Sequence, residues 1–304
     1  MIARPAGLLS LIAIASVIIA CRGENRRRAD SAGSLPPVFP SGPASTNWNP
    51  DAGPVMLVST GISDTVGVVL PEATDSTIES LQGMTAPVAG LRFDLFGRAG
   101  KSASAIAAIP VIQVDTAQEC YSWPLAKLES PRANWRVGFP SGRIQPIPLD
   151  SIEAMASADS SALAVSLAQT AATVPAASDP AFRGLPFRVR SAYRFPLDSL
   201  DVVIADIVRT VNEEANPRVE HLLVVGEKPH GVGGKFAVGY YSRTAGKEES
   251  VQATEILAAV RITVSKRPVV VVDIEYDDGG KLGLIERTAP GEWRATWRSA
   301  YTDC

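Results

Sequence analysis

The stretch "PVVVVDIEYDDGGKLGLIER", residues 268–287, decides the fold. Its first half is dominated by β-branched residues. Its second half, Lys281–Arg287, sets Leu282, Leu284 and Ile285 among charged residues, and Asp277-Asp278-Gly279-Gly280 lies between them. Valine and isoleucine lose side-chain freedom in a helix and fit a pleated surface. Acidic and glycine residues in that order suit a tight reversal. The stretch therefore predicts an antiparallel hairpin. Along its first strand Asp273, Glu275 and Asp277 alternate, so a strand places the three carboxylates on one face.

Working outward, strand-like runs recur between turn clusters: "FRVRSAYRF" (187–195), "VEHLLVVGE" (219–227), "KFAVGYYSR" (235–243), "ILAAVRITV" (256–264) and "WRATWRSAY" (293–301). Such spacing predicts an antiparallel meander over the C-terminal half. Residues 200–212 carry a helical stripe (Leu200, Val203, Ile204, Ile207, Val208, Val211), but β-branched residues dominate and tip the reading to strand. In the N-terminal half, "PVMLVSTG" (54–61) and "TVGVVLPE" (65–72) read as a hairpin, and "GLRFDLFG" (90–97) as a half-buried strand with "SASAIAAIPVIQV" (102–114) as its partner. "STIESLQG" (76–83) reads as a short helix. A longer helix is expected near 150–172, an Ala-rich segment begun by Asp150 with Glu153, or by Asp159. The expected class is α+β, mainly β, with one or two helices in the N-terminal half.

The chain has 304 residues and a net charge of −3, so the overall balance carries no nucleic-acid footprint. At the N-terminus one arginine, Arg4, precedes an apolar or small run from Gly7 to Ala20 that is 14 residues long. A membrane-spanning helix needs roughly 20. The run reads as a signal peptide. Its end, Ile18-Ile19-Ala20-Cys21, resembles the lipobox of bacterial lipoprotein precursors. That resemblance covers residues 1–21. It implies cleavage between Ala20 and Cys21, a diacylglyceryl group on the Cys21 thiol, and acylation of the new amine. Arg22 stands where an Asp often retains such proteins at the inner membrane, which resembles the outer-membrane pattern.

Residues 21–53 are rich in Pro, Gly, Ser, Ala and charge, and read as a disordered tether with a basic start at Arg22, Arg26, Arg27 and Arg28. Such a coil spans roughly 30 Å. The body divides by sequence into lobes 54–182 and 183–304, as two domains or as one. With Cys21 lipidated, Cys120 and Cys304 remain, and an oxidising compartment favours a bridge between them. Neither has a nearby Cys or His, which disfavours a metal site.

Motifs for chemistry are few. "FGRAGKSAS" (96–104) lacks the first glycine of a phosphate loop, since Leu95 stands there, so no nucleotide site is expected. "EKPHGVGGKF" (227–236) reads as a hairpin loop, with His230 and Lys235 as weak ligand candidates. Asp273, Glu275 and Asp277 are weak candidates for calcium or acid/base work. Trp293, Ala295 and Trp297 fall on one strand face, with Arg294, Thr296 and Arg298 opposite, a pattern read as core inside and arginines outside. No cofactor is indicated. The expectation is a lipid-anchored, extracytoplasmic envelope protein of non-enzymatic role, binding a partner or ligand. The alternative is an envelope hydrolase or glycan-acting enzyme using these carboxylates or His230.

Overall fold

The computed structural model describes residues 47–61, 64–75, 88–108, 123–129, 134–176, 179–212, 216–276 and 279–302. The N-terminal half contributes β1 (Met56–Ser59), β2 (Thr65–Val69), β3 (Arg92–Gly97), β4 (Gly100–Ile106), β5 (Leu125–Lys127), β6 (Val137–Pro140), β7 (Ile144–Ile147), β8 (Asp150–Ser151) and helix α1 (Ser157–Ala171). The C-terminal half contributes β9 (Arg188–Leu197), β10 (Leu200–Val211), β11 (Arg218–Pro229), β12 (Ala237–Lys247), β13 (Ala253–Ile262), β14 (Pro268–Tyr276), β15 (Gly279–Ala289) and β16 (Glu292–Arg298). The mainly β, antiparallel expectation holds, and the doubtful segment 200–212 is a strand.

Two meanders form two sheets rather than one. We call β4-β3-β6-β1-β2-β5 sheet I, β12-β11-β10-β9-β8 sheet II and β16-β15-β14-β13-β7 sheet III. Strands β7 and β8 extend the C-terminal meanders, so the strand pairing crosses the lobe boundary set near residue 183. The hairpin expected over residues 268–287 is present: Tyr276 pairs with Gly279 and Glu275 with Gly280. Its turn residues Asp277 and Asp278 lie outside the described residues.

Sheet III is the central layer. Val269 and Val271 face sheet I, where they meet Phe96, Phe139 and Met56. Val270 and Val272 face sheet II, where they meet Phe195, Ile204 and Val225. This is why "PVVVV" is apolar at every position: both of its faces are covered. The far face of sheet II is covered by α1 through Leu163, Leu167 and Ala171, at helical spacing.

Three expectations need correction. First, α1 begins at Ser157, not at Asp150. Ser151 caps a 3-10 turn at Ile152–Ala154, and the Ala156 N-cap makes no side-chain hydrogen bond. Asp159 does sit in the first turn of α1, where a negative charge suits the helix dipole. Second, the body begins before Pro54. Trp48 packs edge-on against Trp297, with ring centroids 4.9 Å apart, and its indole N–H donates to Gly53 O at 2.6 Å. Residues 47–53 are therefore not tether. Third, Trp293 and Trp297 do not share a face. A bulge between the Leu284–Trp297 and Ile285–Ala295 pairs inserts Thr296. Trp293 consequently faces sheet II and Trp297 faces sheet I.

The helix expected at 76–83, together with Ala20, Cys21, Cys120 and Cys304, lies outside the described residues. Among the described residues no helix is long and apolar enough to cross a membrane.

Candidate functional site: a cleft between sheets II and III

Strand register builds the site. Asp206 on β10 lies opposite Leu223 on β11, which lies opposite Ser242 on β12. His221 on β11 lies opposite Thr244 on β12. With side chains alternating, Asp206, His221, Ser242 and Thr244 share the face of sheet II that looks at sheet III. They line a narrow cleft of about 30 Å³ together with Gln252, Thr254, Ile274 and Arg298. Leu223, Val272, Ile285 and Ala295 give it apolar walls.

Asp206 is buried and orients His221. Its Oδ2 is 3.0 Å from His221 Nδ1, and Arg190 Nη1 donates to the same oxygen at 2.9 Å. A carboxylate only accepts, so Nδ1 carries the hydrogen and Nε2 is left to the cleft. No hydrogen bond to Nε2 is formed among the described residues. Arg298 enters because of the Thr296 bulge. Without the extra residue, Arg298 would point away from the face of Trp293 and Ala295; with it, Arg298 reaches Tyr240 in the core between the two sheets. Burial raises the Tyr240 phenol above its usual range, and hydrogen bonds from Ser242 and Arg298 with the Arg298 charge offset part of that rise. Among the described residues Arg298 has no carboxylate within ion-pair distance.

The residues flagged by sequence lie elsewhere. Asp273 and Glu275 sit on the sheet I side of β14, and Asp277 lies outside the described residues. Glu255 on β13 pairs directly across from Asp273. Burial, then the charges of Glu275 and Glu255, push the Asp273 carboxyl up to about 6, against a smaller opposing effect of Arg136. Arg98 and Arg136 instead bind Glu255. His230 and Lys235 belong to the exposed β11–β12 hairpin, where His230 Nδ1 lies 2.8 Å from Asp201. Asp273 and Glu275 therefore do not converge with His230. Among the described residues no group of three or more potential ligands could hold a metal ion. Lys101 of "GKS" pairs with Asp94 at 2.8 Å. Burial pushes the Asp94 carboxyl up, but Lys101, Ser104, Ser141 and the Gly142 amide together hold it below its usual range.

Sequence reasoning missed the Asp206–His221 pair, which is 15 positions apart and diagonal across two strands. One signal was available: Asp206 interrupts the apolar run "VVIADIV" (202–208). Such a charge is buried only with a partner. A comparison with known protein families, curated proteins and solved structures finds no match.

Proposed function

We propose that this chain is a lipid-anchored protein of the cell envelope whose folded body acts by binding a partner or ligand. The observation that carries the reading is Ile18-Ile19-Ala20-Cys21 at the end of a short apolar run. In this reading the Cys21 lipid holds the chain at a membrane, at the periplasmic face of the outer membrane in a Gram-negative cell. The segment up to Asn47 acts as a basic tether, and the body searches the space within its reach. A Cys120–Cys304 bridge would close a long loop, worth roughly 5 kcal/mol in the loop-entropy picture. Non-catalytic work is supported by the separation of Asp273 and Glu275, on sheet III, from His230, in the β11–β12 hairpin of sheet II. Labelled palmitate is expected in the wild-type chain expressed in a bacterium and not in Cys21→Ala. Equal labelling would remove the anchor.

A second reading, an envelope hydrolase, draws on one observation. Asp206 orients His221, and the Ser242 and Thr244 hydroxyls stand on the neighbouring strand. Hydrolysis of a simple aryl ester that vanishes in His221→Ala would favour it. No turnover by either chain would favour binding.

A further inference from the structure

We propose that the cleft between sheets II and III binds a small oxyanion, with a short-chain carboxylate as the ligand class. This deepens the binding reading above and rests on it.

Charge is the first argument. The acid of the cleft, Asp206, is already matched by Arg190 and His221. Arg298 contributes a further positive charge to the lining, with no counter-ion among the described residues. A partly buried guanidinium is costly unless it is paired. Its planar fork matches a carboxylate in a two-point contact.

Aim is the second argument. Arg298 is in the cleft because the Thr296 bulge turns it there. Bulges that re-aim a side chain are over-represented beside functional sites. The Thr254 hydroxyl and the Gln252 side chain add donors to the lining.

Size and polarity set the ligand class. A volume of about 30 Å³ admits roughly two waters, which excludes a nucleotide or a sugar chain. Val272, Ile274, Ile285 and Ala295 offer a short apolar wall beside the donors. A planar acid seats its two carboxylate oxygens in that volume and leaves its few carbons along the wall at the open mouth, whereas inorganic phosphate has no apolar part to place there.

The test is calorimetric titration of the full chain with sodium propionate, inorganic phosphate and propionamide. Propionate should saturate with a dissociation constant on the order of 1 mM, and phosphate should bind more weakly. Propionamide, the neutral analogue, should not bind. Arg298→Gln should weaken propionate about 10-fold or more, and Arg298→Lys by less. Equal binding of propionate and propionamide, no saturation by propionate, or phosphate binding tighter than propionate would overturn the proposal. These comparisons need no variant, so they stand if Arg298→Gln fails to fold. In a folded Arg298→Gln chain, unchanged affinity would overturn it too. Failure here leaves the lipid anchor standing, because palmitate incorporation at Cys21 is scored separately.

Discussion

Asp273 is where residue-level electrostatics can be read most directly. Its carboxyl is raised to about 6, first by burial and then by Glu275 and Glu255. In the unfolded chain an aspartate ionises near 3.9. Between those values the folded chain binds one more proton than the unfolded chain, so stability falls as pH rises through this window. Below it both states are protonated, and the penalty is fully developed above about pH 6. Asp273→Asn removes the penalty. Urea unfolding at pH 8 should show the variant more stable than wild type, by at most about 3 kcal/mol, with the advantage fading toward pH 4. A constant difference across that range would contradict the assignment. Alternation in "VVDIEYDDGG" shows that Asp273 and Glu275 share a face. It does not show that Glu255 lies across from Asp273, because that pairing depends on the β13–β14 register.

At the scale of elements, most strands could be read from composition, because β-branched runs and turn clusters mark them locally. The bulges could not. A bulge is set by how two strands meet, and Thr296 carries no local sign that it is an inserted residue. That one residue separates the two tryptophans onto opposite faces and brings Arg298 inside, so strict alternation finds both tryptophans in the core but puts them on one face and leaves Arg298 outside. The start of α1 was misplaced for a related reason. Asp150 pairs with Arg194 as part of β8, and the Ser151 cap serves a 3-10 turn instead. The contact between β12 and β16 also depends on a small residue. A Cβ on Gly239 would lie 2.7 Å from Trp293 Cδ1 and 2.9 Å from Gly291 O. Gly239→Ala should therefore cost about 1–3 kcal/mol by overpacking, read as a lower urea midpoint with an unchanged slope. No loss would mean that this approach is looser than described.

For the whole molecule, the order of layers explains the hydrophobicity of the chain. Helix α1 covers sheet II, sheet II covers sheet III, and sheet III covers sheet I. Strand identities were legible, but their division into two meanders was not, because nothing local states where one sheet ends and the next begins. The cleft was hidden for the same reason: His221 and Arg298 come from different sheets. The body also extends further toward the N-terminus than composition suggested. Trp48→Ala should cost about 2 kcal/mol by removing its contact with Trp297 and its bond to Gly53, seen as a lowered melting temperature. An unchanged melting temperature would return residues 47–53 to the tether.

In the proposed reading a lipid on Cys21 presents this body from a membrane. Intact mass and N-terminal peptide analysis of the chain purified from a bacterial envelope tests it most directly. A mature chain that begins at Cys21 and carries the added mass of a diacylglyceryl group and an N-linked acyl chain is expected. A chain that retains Met1, or one that begins elsewhere with an unmodified Cys21 thiol, would contradict it.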